Sequence, residues 1–267
     1  MQITTSRGYL MKNKTFKYSI LLSVIICMIF LSGCATSRQD REKAASHVTI
    51  GLAHLESRHF SPALREFLAA QRLSPDDAEI RYYTGLSYYG SGMREEAKRE
   101  FQKTLSIKPD YSEANNYMGI IYLEEGLYDK AIEKFDLAFS NVFYETPAKA
   151  LNNLGWAYYQ KKDYRTALIK YETALKREPD TMTLLLIQKN MGIAYLAESN
   201  IDKAIYHLKK AIDMAPGMIE SRYWLGISYL ERGDREKAVA ELRSVAESNP
   251  ESVFGLKAKE KLDYISP

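Results

Sequence analysis

The chain has 267 residues, of which 46% are hydrophobic and 27% are charged, so it is long enough and apolar enough to bury a sizeable core. Its 37 basic and 34 acidic residues give a formal net charge of +3, but residues 1–33 hold four bases and no acid, which leaves 37 − 4 = 33 bases against 34 acids in the remainder. This near-neutral balance, without a dense lysine or arginine tract, argues against a nucleic-acid partner. Both cysteines, Cys27 and Cys34, lie near the N-terminus, so we expect no disulfide framework in the folded part.

Residues 1–33 are typical of an export signal. Three lysines precede an apolar run, Ile20–Leu31, and small residues follow it before Cys34. The run is shorter than the roughly 20 residues that a membrane span needs, so we expect cleavage, with an uncleaved anchor helix as the alternative. A start at Met11 would give the signal an ordinary length, whereas a start at Met1 would add ten unexplained residues.

The sequence around the second cysteine, Leu-Ser-Gly-Cys34, resembles the bacterial lipobox. The resemblance implies that Cys34 is lipidated, becomes the first mature residue and attaches the protein to a membrane. Residues 34–43 are short, polar and charged, and we interpret them as a tether. Ala35 follows the cysteine, where an aspartate would resemble an inner-membrane retention signal, so the resemblance implies the outer membrane, facing the periplasm, in a Gram-negative source.

Six copies of one pattern then occupy residues 44–250. The copies are counted from glycines that lie 34, 34, 36, 37 and 34 residues apart. An alanine follows each glycine by twelve positions and a large residue follows it by sixteen, a spacing that predicts two amphipathic helices per copy with small residues where the helices approach. The glycines are Gly51, Gly85, Gly119, Gly155, Gly192 and Gly226; the alanines are Ala63, Ala97, Ala131, Ala167, Ala204 and Ala238; the large residues are Phe67, Phe101, Phe135, Tyr171, Leu208 and Leu242.

This pattern resembles the tetratricopeptide repeat, a helix-turn-helix unit of about 34 residues. The resemblance implies an all-α, right-handed superhelical solenoid in which stacked neighbours build one continuous core. Residues 251–267 are expected to form a capping helix and tail, with Val253, Leu256, Leu262 and Ile265 on the packed side. The six repeats are assigned to residues 44–77, 78–111, 112–147, 148–184, 185–218 and 219–250.

Two junctions are longer than the repeat requires. Between the third and fourth repeats the chain inserts Ser140–Pro147, where we expect Thr146 to cap the next helix and Pro147 to take its first position. Between the fourth and fifth repeats, three extra residues lie near Thr181–Gln188. Either the extra residues only lengthen loops, or they bend the superhelix and shape its concave face.

No motif in the chain indicates catalysis or metal binding. The four histidines show no metal-ligand spacing, and neither a phosphate loop nor a nucleophile elbow is present. We therefore predict a protein that is not an enzyme, needs no cofactor and takes no small-molecule substrate.

The first helices of tetratricopeptide arrays line a concave groove, so the resemblance implies a binding face for a protein or peptide partner. Aromatic side chains beside asparagines bury apolar anchors and hydrogen-bond a peptide backbone. For any single residue, packing between helices is an equal alternative. The predicted groove residues are Tyr82, Tyr89, Asn116, Tyr117, Asn152, Asn153, Trp156, Tyr159, Lys189, Asn190 and Tyr223.

A lipobox followed by six such repeats resembles the type IV pilus biogenesis lipoproteins called pilotins. The segment Tyr144–Gln160 is similar to a comparable part of that family. The resemblance implies a membrane-anchored adaptor that assists assembly of an outer-membrane secretin. The alternative is a cell-envelope scaffold that docks peptidoglycan enzymes, and the sequence leaves both open.

Overall fold

The computed structural model describes residues 37–265, so the expected signal segment and Cys34 lie outside the described residues. The described part is all helical and contains thirteen α-helices, none of them long and apolar enough to cross a membrane. The chain divides into two compact units, Met1–Asp76 and Asp77–Pro267. The helices are α1 Arg38–Glu56, α2 Phe60–Leu73, α3 Ala78–Gly90, α4 Arg94–Ile107, α5 Ser112–Glu124, α6 Tyr128–Ser140, α7 Pro147–Gln160, α8 Tyr164–Leu175, α9 Thr181–Ala197, α10 Ile201–Met214, α11 Ile219–Arg232, α12 Arg235–Ser248 and α13 Val253–Ile265.

The described part of the first unit is one helix pair. The side chain of Ser37 caps α1 by accepting a hydrogen bond from the amide of Asp40. Helices α1 and α2 pack against each other along their length. Gly51 of α1 faces the buried ring of Phe67 of α2, so the absence of a side chain at Gly51 allows the close approach.

The second unit repeats this arrangement through α3–α13. Each first helix packs against its own second helix, and each second helix packs against the next first helix. From α5 onwards, each odd-numbered helix also contacts the next odd-numbered helix. This packing is the all-α helical repeat that the sequence predicts.

The contact between the repeat glycine and the large residue sixteen positions later occurs in all six helix pairs. A Cβ atom added to any of these glycines would come within 2.5–2.9 Å of that large side chain. The six large residues and the six alanines twelve positions after the glycines are completely buried. The predicted close approach of the paired helices is therefore confirmed.

The turn inside each helix pair contains a residue with positive φ at a fixed place, seven positions after the repeat glycine. In three turns this residue is a glycine, which adopts the left-handed conformation without steric cost. In the other three it carries a side chain. The six residues are Arg58, Gly92, Gly126, Lys162, Ser199 and Gly233, and their φ values lie between 57° and 86°.

The first long junction differs from the prediction at Thr146. Helix α7 begins at Pro147 as expected, but the side chain of Thr146 makes no capping hydrogen bond. Tyr144, two residues earlier in the inserted loop, is buried beside Ala138 and Ala150. The inserted loop is thus fixed by the burial of Tyr144.

The second long junction lengthens a helix. Helix α9 begins at Thr181, where the carboxylate of Asp180 accepts a hydrogen bond from the amide of Thr183. It has 17 residues, whereas the first helices α3, α5, α7 and α11 have 13 or 14. The three extra residues are therefore helical, and the loop-length explanation is wrong here.

The capping helix α13 packs on α12, but the predicted packed side is only partly correct. Leu262 and Ile265 pack against the terminal core as expected. Val253 and Leu256 are 65% and 52% exposed. The packed face runs instead through Phe254, Gly255 and Ala258 because helical spacing aligns positions 254, 258, 262 and 265 and turns 253 and 256 away.

Candidate functional site

All eleven predicted groove residues lie on the first helices α3, α5, α7, α9 and α11 of the second unit. The structure separates them into residues that join helices to one another and residues that remain half-buried on the surface.

The asparagines connect three successive first helices. Asn153 of α7 donates a hydrogen bond from Nδ2 to Oδ1 of Asn116 on α5, at 3.1 Å. Asn190 of α9 donates in the same way to Asn152 of α7, at 3.0 Å. Asn116, Asn152 and Asn190 are buried at the interface between first helices. The two hydrogen bonds therefore pair polar side-chain atoms that are shielded from water. These side chains therefore contribute mainly to holding the helices in register.

Trp156 and Tyr159 form a stacked pair on α7. Their ring centroids are 4.8 Å apart with an interplanar angle of 9°, and both side chains are half-buried. Tyr164, at the start of α8, lies 5.3 Å from Tyr159 and was not predicted. Burial, and then the neighbouring Tyr164, raises the pKa of Tyr159, so its phenol keeps its proton and remains a hydrogen-bond donor.

The tyrosines of α3 and α5 form an aromatic cluster around Phe101. Tyr117 stacks on Phe101 at 5.5 Å, and Tyr82 is buried 6.0 Å from the same ring. Tyr89 lies edge-on to Tyr117 and donates a hydrogen bond to Glu124 at 2.7 Å. The burial of Tyr82 favours the packing role, which the sequence left open as an alternative for each groove residue.

Glu124 is an ion-pair partner at the edge of this cluster. Burial alone would raise the pKa of Glu124, but hydrogen bonds from Arg94 and Tyr89 outweigh it and lower the pKa. The Arg94 Nε atom lies 2.6 Å from the carboxylate. Tyr89 is thus held by a charged network, which fixes its ring against the array.

Lys189 and Tyr223 also serve the packing of the helices. The Nζ atom of Lys189 on α9 lies 2.8 Å from Glu220 on α11, so the ammonium group is already paired. Tyr223 is buried, 5.4 Å from Phe254 of the capping helix. Six of the eleven predicted residues are half-buried rather than buried: Tyr89, Tyr117, Asn153, Trp156, Tyr159 and Lys189. We call the three that lie on α7, Asn153, Trp156 and Tyr159, the α7 patch.

A surface cavity lies elsewhere in the second unit, and no predicted groove residue lines it. It is formed by the starts of α3 and α5 together with the inserted loop before α7. Its residues are too far apart in sequence to form a recognisable motif. The sequence does place acidic residues just before or within the first turn of three successive first helices, and this recurrence is the feature that could have indicated the cavity.

Comparison with known protein families identifies the repeat. Models of the tetratricopeptide repeat match residues 48–92, 110–180 and 195–260. The chain is also 33% identical over 79 residues to the photosystem I assembly protein Ycf3 of Prochlorococcus marinus, a match that covers 30% of this chain and 46% of that protein. The chain thus spans less than half the length of the curated relatives that it matches.

Solved structures share the same architecture at low sequence identity. The anaphase-promoting-complex assembly Cut9–Hcn1 superposes with a TM-score of 0.75 at 18% identity, over 85% of this chain and 43% of that chain. Pseudomonas aeruginosa PilF gives 0.71 at 16% identity, over 84% of this chain and 100% of that chain. PilW, described as a widely conserved type IV pilus biogenesis factor, gives 0.72 at 17% identity, over 80% and 97%. At these identities the likeness shows a common fold.

Proposed function

Because the chain is built from tetratricopeptide repeats, we propose that it is a membrane-anchored adaptor whose protein partner docks on the α7 patch. The repeat fold is a protein-interaction scaffold and is generally non-enzymatic. The stacked, half-buried pair Trp156–Tyr159 carries the proposal, since it combines a large apolar surface with indole and phenol donors at the centre of the first-helix face.

The proposed system is type IV pilus biogenesis, with an outer-membrane secretin as the partner. The resemblance of the N-terminal segment to a lipobox and of Tyr144–Gln160 to pilotins supports this assignment. PilF and PilW match over nearly their whole chains, so the extent of the repeat array is compatible with theirs. The partial match to a photosystem I assembly protein is compatible with a role in assembly.

The proposed location is the periplasmic face of the outer membrane, with lipid on Cys34. This residue lies outside the described residues, and the proposal rests on the sequence around it. Docking of a partner and attachment to the membrane are separate properties and are tested separately.

Crosslinking in cells tests the docking site. Benzoylphenylalanine replaces Trp156 in one strain and Tyr206, a 53% exposed aromatic residue of the second helix α10, in a matched control strain. We expect crosslinks to the secretin from position 156 and none from position 206. Crosslinks to a wall hydrolase from position 156 would favour the envelope scaffold instead. Crosslinks from position 206 alone would refute docking on the first-helix face.

Truncation of the tryptophan gives the affinity test. Large aromatic side chains buried at a contact often contribute 2 kcal/mol or more, so Trp156→Ala should weaken secretin binding about thirtyfold or more. Tyr206→Ala should change it less than about twofold. Circular dichroism must show that both variants retain the helical fold. Unchanged affinity in a folded Trp156→Ala variant would exclude the α7 patch as the docking site.

A further inference from the structure

Three segments of the second unit meet at a cleft of ≈ 460 Å³. The first segment is the start of α3, the second is the start of α5 with the residues that precede it, and the third is the inserted loop before α7. None of the α7 patch residues lines this cleft. Its lining residues are Asp77, Ala78, Glu79, Lys108, Asp110, Tyr111, Ser112, Glu113, Asn141, Phe143, Tyr144 and Glu145.

The cleft carries a strong negative charge. Five carboxylates line it against one lysine, and none of the five forms an ion pair with a basic side chain in the described part of the chain. Carboxylates at helix starts are stabilising, and Asp77 caps α3 in this way. Asp110 and Glu145 do not act as caps, because the cap positions of α5 and α7 are Tyr111 and Thr146. Helix capping therefore does not account for the whole cluster.

The carboxylates also act on the neighbouring phenols. Burial, and then the charge of Glu79, raises the pKa of Tyr83 to about 12. Burial likewise raises the pKa of Tyr144 to about 12, with a further contribution from Glu113. The tyrosines stay protonated at neutral pH and add no charge, so the negative potential of the cleft comes from its acids.

One buried hydroxyl of a cleft residue has no partner among the described residues. Ser112 is the first residue of α5 and is only 2% exposed. Its Oγ atom makes no hydrogen bond within the described residues, although buried polar atoms in proteins are nearly always paired. Ser112 is also one of the residues that line the cleft.

An exposed apolar side chain lines the cleft. Phe143 is 87% exposed, and Val142, the residue before it in the same loop, is 88% exposed. The loop that holds them is fixed, because the Nδ2 atom of Asn141 donates to the carbonyl of Asp110 at 3.2 Å and the amide of Phe143 donates to Oδ1 of Asn141 at 3.0 Å. The burial of Tyr144 anchors the other side of the loop. An exposed phenylalanine on a fixed loop is an apolar contact already in position for a partner.

We propose that this cleft is a second docking site, and that its occupant is a segment of a protein partner in which arginine stands next to an aromatic residue. The guanidinium group pairs with two carboxylates at once and donates further hydrogen bonds, which matches a cleft of five acids and one unpaired hydroxyl. The aromatic residue packs on Val142 and Phe143. A metal ion is a poorer occupant, because no group of three or more acidic, histidine or cysteine side chains in the described residues is arranged to hold one.

Fluorescence anisotropy with a defined probe tests the proposal. The probe is the fluorescein-labelled peptide Gly-Arg-Phe-Arg-Gly, and its matched control has citrulline in place of both arginines. We expect saturable binding of the arginine peptide to the wild-type protein and about tenfold or more weaker binding of the citrulline peptide, because citrulline keeps the shape and removes the charge. Absence of saturable binding by the arginine peptide, or equal binding of both peptides, would overturn the proposal.

Charge-matched variants locate the binding. Glu113→Gln with Glu145→Gln removes two carboxylates from the cleft, and Glu236→Gln with Glu247→Gln removes two exposed carboxylates from α12. The cleft double variant should bind the arginine peptide about tenfold or more weakly, and the α12 double variant should stay within about twofold of wild type. Phe143→Ser should also weaken binding several-fold. Equal losses in the two double variants would show non-specific attraction to an acidic protein and would refute the cleft as the site.

Discussion

Among single residues, the repeat glycines have the least freedom to change. A Cβ atom at Gly155 would lie 2.5 Å from Tyr171 Cε1, a distance that forces a completely buried ring to move. Overpacking of this kind costs about 1–3 kcal/mol, so Gly155→Ala should lower the urea midpoint. Gly217→Ala is the matched control, because nothing lies within 4 Å of a Cβ atom there, and its midpoint should be unchanged or slightly higher. Equal midpoints for the two variants would contradict the close helix approach.

The hydroxyl of Tyr171 is a second residue-scale feature with a measurable effect. Its oxygen atom is buried without a hydrogen-bond partner in the described residues, and burial raises its pKa well above the ordinary value. The first three repeats have phenylalanine at the same position, so Tyr171→Phe removes an unsatisfied group without leaving a cavity. We expect a gain of about 1 kcal/mol in the free energy of unfolding.

Tyr89→Phe is the control for that substitution. The Tyr89 hydroxyl donates to Glu124, so its removal should leave stability unchanged or reduce it. A loss of stability in Tyr171→Phe similar to that in Tyr89→Phe would show that the Tyr171 hydroxyl has a partner in solution.

At the scale of elements, the turns inside the helix pairs differ in how well their sequences suit the backbone. The turn between α7 and α8 places Lys162 at φ 64°, where three other repeats have glycine. A side chain in this conformation costs about 1 kcal/mol, so Lys162→Gly should raise the thermal midpoint. Lys176, at φ −77°, is the matched control. Lys176→Gly should lower the thermal midpoint, because glycine raises the conformational entropy of the unfolded chain and relieves no strain at a negative φ. A lower midpoint for Lys162→Gly would mean that this turn has another conformation in solution.

The periodic parts of the fold could be predicted from the sequence, whereas departures from the period could not. Six equal offsets predict the contact between Gly155 and Tyr171 because helical spacing fixes which side chains face the partner helix. The same spacing does not reveal whether three extra residues before Gln188 extend a helix or a loop, since that depends on the cap at Asp180. The period ends before α13, so the packed face there had to be inferred from apolar residues alone, and Val253 and Leu256 were wrongly placed.

The site was less predictable than the fold for a related reason. The sequence places asparagines on the first-helix face but does not show that Asn152 and Asn190 bond each other, because the distance between neighbouring helices is set by tertiary packing. The acidic cleft was missed since its walls come from three segments, and the position of Phe143 depends on the burial of Tyr144. Residue type and spacing therefore predict which helix face carries the site. Hydrogen-bond pairing and side-chain exposure depend on tertiary packing, which the spacing does not reveal.

At the scale of the whole molecule, membrane attachment is a prediction that the described residues leave untested. If Cys34 is lipidated, Cys34→Ser should abolish labelling by an alkyne fatty acid and release the protein from the membrane fraction, because two or more acyl chains provide stable attachment. Cys27→Ser is the control, since Cys27 lies in the expected signal and its loss should leave labelling intact. Wild-type protein without label in the membrane fraction would refute the lipid anchor.

The neighbour-only packing of the second unit has a kinetic consequence. Each glycine contact closes a loop of only sixteen residues, and helices contact others that are close along the chain. The entropy lost on loop closure is therefore small at every step, and the topology has a low contact order for its length. Folding can begin at any helix pair and spread to its neighbours, so a nascent chain can acquire native structure in its early repeats before the later ones are synthesised.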